Sequence, residues 1–425
     1  MTAMPTDARP PTSDPAPRAL VFALAGAMAA LAAAQAIALA RFQPPGLDFL
    51  PPWTAGRLAA SLPIRAYDAA AVTAAQGWLL PHFGWLRPFA YPPTALIVFE
   101  PLARLGFWTA LSCWTARGAG LVVLAAGRIA GRDAAPAAVL TLAAPAVVIA
   151  LDAGQPILVA GALAALGLAE LDRRPRLAGV LTALAAAIKP QALLMAPVAL
   201  AACGALEAAL AAGLAFAALG AASLALYGPG AWGAWLASLP TFQGAIARTP
   251  HLGAAVITPA WAARELGLGG AAAAACTAAF AVAGASLVWR TFRRGGEAAP
   301  RLAALASASL MAAPYAMSYD GALVAPAAAA LAISGLERRR PLQLALALGS
   351  TLLITAPYLG LVGLLGFAAL AAVSADERVG APEARQLGPQ RQDLGRRRHR
   401  RKVDAEPLGR VAVEEGHRPG GADPG

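Results

Sequence analysis

Long runs of Ala, Leu, Val and Gly are separated along this chain by short polar interruptions. The apolar runs fall at residues 19–40, 107–127, 134–151, 156–171, 208–227, 269–289, 302–313, 321–336, 342–355 and 358–373. A membrane-crossing helix needs roughly 20 apolar residues, with about 17 as the lower end, so the pattern predicts about ten to twelve spanning helices, some recruiting flanking residues. The first run has no small-residue cleavage site and reads as an uncleaved span. Five interruptions stand out: Asp48-Phe49, Tyr91-Pro92-Pro93, Asp152-Ala153-Gly154-Gln155, Lys189-Pro190-Gln191 and Tyr319-Asp320. Polar and ionisable groups at helix ends or at membrane depth are costly and mark surfaces that face water or substrate.

Arginines orient the chain, because positive residues stay with the cytoplasm. Arg9 and Arg18 put the N-terminus inside, and Arg128 and Arg132, Asp172 to Arg176, Arg290 to Arg301 and Glu337 to Arg340 are further inside positions. Threading the spans between them leaves 41–92 and 228–268 as outer loops and brings all five interruptions to the outer face. The first outer loop holds Trp53, Trp78 and Trp85, which suit short interfacial helices, and it tolerates Arg57, Arg65 and Arg87 because long loops obey the rule weakly. Residues 94–103 are too short to cross and read as a half-helix opened by Pro92 and Pro93. A second break is expected at Lys189-Pro190, where proline removes a donor.

The composition agrees: 425 residues, 58% hydrophobic and only 13% charged, describe an all-α polytopic membrane protein rather than a soluble domain. The organisation is a cytoplasmic N-terminus at 1–18, a transmembrane domain at 19–374 and a tail at 375–425. The two ends read as disordered, and the tail carries a basic cluster from Arg396 to Lys402 suited to anionic membrane lipid. The net charge of +11 comes mainly from helix ends and this tail, so no nucleic-acid partner is expected. Cys113, Cys203 and Cys276 sit at unrelated spacings and read as packing residues. His82, His251, His399 and His417 do not cluster, and nothing in the residues calls for a metal or a cofactor.

Among candidate functional residues, Asp48 is a carboxylate just beyond the first span, suited to take a proton from a hydroxyl. Lys189 is one of two lysines in a chain that otherwise uses arginine, and an ammonium at a broken helix suits a phosphate. Gln155 and Gln191 both donate and accept, which fits sugar hydroxyls or phosphate oxygens. Tyr319-Asp320 opens a span on the same face, where Asp320 also fits a helix cap. Tyr91-Pro92-Pro93 sets the start of the half-helix.

The order of these motifs resembles glycosyltransferase family 87, membrane mannosyltransferase-like proteins of the GT-C superfamily. The resemblance rests on Asp48-Phe49, Ala55-Gly56-Arg57, Tyr67-Asp68, Tyr91-Pro92-Pro93, Phe99-Glu100-Pro101-Leu102, Gly154-Gln155, Ala178-Gly179 with Ile188-Lys189-Pro190-Gln191, and Pro314-Tyr315 with Tyr319-Asp320. It implies a GT-C helical body with an extracytoplasmic site in the plasma membrane. It also implies a polyprenyl-phosphate sugar donor, a lipid or glycan acceptor, and transfer of a hexose, mannose above all, with inversion. Carried over, Asp48 is the general base and Lys189 the partner of the donor phosphate, with Gln155, Gln191, Tyr319, Asp320, Arg57 and Tyr91 as substrate-binding residues. Ile157 stands where family members often carry Asn. The competing reading is a secondary transporter or lipid flippase, since broken helices with polar residues also build transport sites.

Overall fold

The computed structural model describes residues 15–77, 79, 87–248, 253, 255–355 and 360–375. Trp78, His82, Trp85, His251, Pro357, Tyr358, most of the N-terminal segment 1–18 and the tail from 376, including His399, His417 and the Arg396 to Lys402 cluster, lie outside the described residues. Within them the protein is all-α and contains no strand, the one β-bridge joining Val256 to Met317.

Proline sets many of the helix starts. Pro93–Ala103, Pro145–Ala153, Pro175–Ile188, Pro259–Glu265 and Pro341–Ile354 each begin on a proline, whose fixed φ and missing N–H cost nothing in the first helical turn. The same residue cuts the apolar runs into pieces shorter than their hydropathy implied. The run at 134–151 becomes Ala134–Leu142 and Pro145–Ala153, and the run at 321–336 begins as a 3₁₀ turn, Ser318–Leu323, before Ala325–Glu337. Four helices among the described residues are long and apolar enough to cross a membrane, at Ala19–Arg41, Phe107–Leu142, Leu206–Ile246 and Gly270–Arg294, and eight shorter apolar helices accompany them. The apolar helices are thus present among the described residues, four of them of spanning length and the others shorter than their hydropathy implied. Polytopic character stands, built from long outer helices and short inner ones.

The short helices form the core. Ile157–Glu170, Ala298–Ala312 and Ala325–Glu337 are buried along almost their whole length, with Ala303, Ala304, Ala306, Ala327 and Ala332 fully enclosed. Small side chains let helix backbones approach closely where no hydrophobic drive separates helix from lipid. The long helices are peripheral and present Leu31, Leu210, Leu214, Leu226 and Val282 outward, as a lipid-facing surface requires. Cys113 is exposed on one of them, so the packing role expected of it is corrected.

The tightest crossing lies between Pro175–Ile188 and Leu206–Arg248. A Cβ on Gly179 would stand 2.2 Å from the Ala208 carbonyl oxygen and 2.8 Å from the Ala212 nitrogen, both backbone atoms that cannot rotate away. Gly179→Ala is expected to force the two helices apart and cost about 1–3 kcal/mol. Thermal unfolding of the purified variant reads this out, and an unchanged midpoint would contradict the crossing.

One end of the helical body is joined by ion pairs. Arg128 pairs with Glu170 at 2.5 Å, Arg132 with Glu337 at 2.7 Å, Arg301 with Asp172 at 2.9 Å, Arg176 with Glu207 at 3.1 Å and Arg338 with Glu297 at 3.1 Å. Such partly exposed pairs add little stability, but they put the arginine-bearing helix ends in one place. The segment 228–268, expected as a loop, opens as helix. Gly228 (φ 73°, ψ 166°) breaks Leu206–Arg248, Pro229 restarts it, and the second half runs over the opposite end of the body.

Candidate functional site

Two glycine turns, distant in sequence, are joined by main-chain hydrogen bonds. The Gly46 amide donates to the Asp152 carbonyl at 2.7 Å, and the Asp48 and Phe49 amides both donate to the Ala153 carbonyl at 3.0 Å. Both glycines have positive φ, 80° at Gly46 and 68° at Gly154, and neither position has room for a side chain. A Cβ would meet Leu111 Cδ2 at 2.5 Å in the first and Phe49 Cβ at 2.7 Å in the second. Trp114 closes the join from behind, its indole donating to the Gly154 carbonyl at 3.1 Å while its ring stacks on Phe49. This fixes Asp48 beside Gln155, whose Nε2 donates to Asp48 Oδ2 at 2.6 Å.

The other carboxylate oxygen, Asp48 Oδ1, accepts from Arg87 Nη1 at 2.5 Å. Arg87 belongs to an extended segment held from three sides. Gln76 Nε2 donates to the Arg87 carbonyl at 2.8 Å, Tyr67 Oη to the Tyr91 carbonyl at 3.1 Å and Trp235 Nε1 to the Ala90 carbonyl at 3.2 Å. Tyr91 at the end of this segment donates from its phenol to Gln155 Oε1 at 3.4 Å. Burial, then the neighbouring Tyr315, Asp320 and Asp48, hold that phenol well above its ordinary pKa, so it remains a donor at neutral pH.

Lys189 ends the Pro175–Ile188 helix with non-helical angles (φ −142°, ψ 77°), and Pro190–Leu193 continues as a 3₁₀ turn. The expected break is present. The ammonium is almost wholly buried, bonded to Asp320 and 5.3 Å from the centre of the Tyr319 ring. Asp320 has no exposed surface, and its second oxygen accepts the Met317 amide at 3.0 Å, capping the 3₁₀ turn. The cap expected of Asp320 is present, and its side chain pairs with Lys189 from behind the cavity lining. Thr94 Oγ1 donates to the Ala187 carbonyl at 2.6 Å and so ties the Pro93–Ala103 half-helix to the turn that presents Lys189.

Asp48, Arg87, Tyr91, Gln155, Lys189 and Tyr319 line one cavity of about 270 Å³. Phe242, Ala245 and Ile246 of the helix beyond Gly228 complete its wall, with Phe242 packed edge-on to Tyr315 at 4.9 Å. Gln191 stands one layer back and donates to the Tyr315 hydroxyl at 2.9 Å. Arg57 is not brought in. It is exposed and lies over Trp53 at 5.1 Å from the ring centre, on a face of its helix away from the cavity lining. Among the lining residues not selected from the sequence are Arg87, Tyr315 and Gln43, the last donating to Asp152 at 2.9 Å. Tyr315 sat in a motif already quoted, but Arg87 carried no mark beyond being an arginine in an outer loop.

A family model for glycosyltransferase family 87 matches residues 89–314, more than half of the 425-residue chain. The chain belongs to glycosyltransferase family 87. No curated protein and no solved structure gives a significant match. Membership in family 87 makes the protein a GT-C-type membrane glycosyltransferase, acting on a sugar donor and an acceptor. The matched range includes Tyr91, Gln155, Lys189 and Gln191. Asp48, Tyr319 and Asp320 lie beyond it and join the family 87 segment through the hydrogen bonds and ion pair described above.

Proposed function

We propose that this family 87 glycosyltransferase moves a hexose, mannose in the first instance, from a polyprenyl-phosphate donor to a hydroxyl of a lipid or glycan acceptor. The site opens to the extracytoplasmic side of the plasma membrane, because the arginine-rich, ion-paired end of the body takes the cytoplasmic side. Sugar nucleotides are confined to the cytoplasm, so an outward site requires a donor carried by lipid. The observation that carries the reading is one cavity walled by both Asp48 and Lys189.

In this reaction Asp48 takes the proton of the acceptor hydroxyl as that oxygen attacks the anomeric carbon from the face opposite the phosphate. The new C–O bond forms while the bond to the phosphate oxygen breaks, its electron pair leaving with the polyprenyl phosphate, and the anomeric centre inverts. Lys189 faces the charge that grows on the departing phosphate, and Gln155, Tyr91 and Tyr319 orient the sugar through fixed donors and acceptors. A cavity of about 270 Å³ lies just below the usual range of ligand sites, roughly 300–1,000 Å³, which suits one sugar ring and its phosphate with the hydrocarbon left outside.

Transfer of labelled sugar by the purified protein in proteoliposomes tests this. Turnover is expected with polyprenyl-phosphate mannose and none with GDP-mannose as sole donor. Turnover with the nucleotide sugar alone would overturn the donor class.

A further inference from the structure

Two cations reach the cavity, and their partners differ in one respect. Lys189 is matched by Asp320, a carboxylate with no exposed surface and a second bond to backbone, so that pair is closed on itself, with the two side chains 2% and 0% exposed. Arg87 is matched by Asp48, the carboxylate the reaction needs unencumbered, and these two side chains are 15% and 24% exposed at the cavity surface. An oxygen already accepting from a guanidinium has less to offer a second donor, and Gln155 occupies the other oxygen. In this arrangement the base is withheld.

We propose that Arg87 is the primary ligand of the donor phosphate and is parked on Asp48 until the donor arrives. This rests on the lipid-phosphate donor proposed above and adds to it a residue and an order of events. The side chains are balanced, with Arg87 and Lys189 against Asp48 and Asp320. A sugar phosphodiester brings one negative charge. The guanidinium fork fits phosphate oxygens in a bidentate manner, whereas the enclosed ammonium of Lys189 is a point charge already matched. When Arg87 turns to the phosphate, Asp48 loses its cation and faces the acceptor hydroxyl. Transfer then moves one proton to Asp48 while the phosphate gains one negative charge, so the charge of the site is the same before and after the step. Donor binding and base release become one event, and an acceptor that arrives first, water included, meets an occupied carboxylate. The main-chain anchors at Gln76, Tyr67 and Trp235 leave the Arg87 side chain as the part that moves.

The test is equilibrium binding of undecaprenyl phosphate to the full-length protein in nanodiscs. Arg87→Gln should weaken it roughly ten- to hundredfold, the range of a lost charge-assisted bond, and Arg87→Lys, which keeps the charge but not the fork, should restore only part of it. Asp48→Asn should bind roughly tenfold more tightly than wild type, because the competitor for Arg87 is gone. The gain should vanish in the Asp48→Asn, Arg87→Gln double variant. An unchanged affinity in Asp48→Asn, or a gain that persists in the double variant as simple removal of a negative charge would give, overturns the parking of Arg87 while leaving the donor class intact. Failure of the wild type to bind the lipid phosphate at all defeats the donor class, and the role of Arg87 with it.

Discussion

Asp48→Asn lowers the single-turnover rate of sugar transfer by roughly 10²–10⁴-fold, the span covered by a lost general base, and leaves the fold in place. The substitution keeps the shape of the side chain and an oxygen to accept from Gln155, but removes the charge that holds Arg87 and the capacity to take a proton. The backbone at residue 48 is held by the Ala153 carbonyl and not by its side chain, so the loss is chemical and not structural. Rapid-quench measurement of labelled product at saturating donor isolates that step. A rate within a few-fold of wild type would remove Asp48 from the base role.

The second large effect is on stability. Lys189→Ala leaves the Asp320 carboxylate enclosed and without its counter-charge, and breaking a buried pair in this way costs about 3–5 kcal/mol. Asp320→Ala carries a comparable penalty, with an ammonium stranded instead. The paired change Lys189→Met with Asp320→Asn should recover most of the lost stability, since Asn keeps an acceptor for the Met317 amide and no charge remains. It should not recover transfer, because the cation facing the leaving phosphate is gone. Unfolding midpoints and turnover of the single and double variants decide this. A double variant that transfers at the wild-type rate would reduce Lys189 to a packing element.

Several parts of this arrangement were readable in the sequence, and for physical reasons. Lys189 was conspicuous because the chain writes almost every other positive charge as arginine, and Pro190 announced the break at which it stands. Asp48 and Gln155 each follow a glycine turn at the end of an apolar run, and the threading of arginines placed both on one face. The lengths of the inner helices were not readable, since hydropathy is indifferent to a proline that interrupts a run at Pro145 or delays one at Pro326. Nor was the helical course of 229–248, where a Gly-Pro pair looked like the start of a loop and proved to be a joint. Arg87 escaped because its meaning lies in a partner 39 positions away, and a lone arginine in an outer loop has no local pattern. Arg57 misled for the converse reason, since a motif fixes neighbours in sequence while its side chain is free to face solvent.

The join between the Gly46 and Gly154 turns also bears on how so plain a sequence supports chemistry. A helical body built largely from alanine offers few interlocking shapes with which to hold a reactive group to a fraction of an ångström. Here the carboxylate and its amide neighbour stand on peptide groups, which every residue supplies and which substitutions elsewhere do not alter. Substitutions on the lipid-facing surface of this chain therefore leave the spacing of Asp48 and Gln155 unchanged, provided that Gly46 and Gly154 continue to carry no side chain.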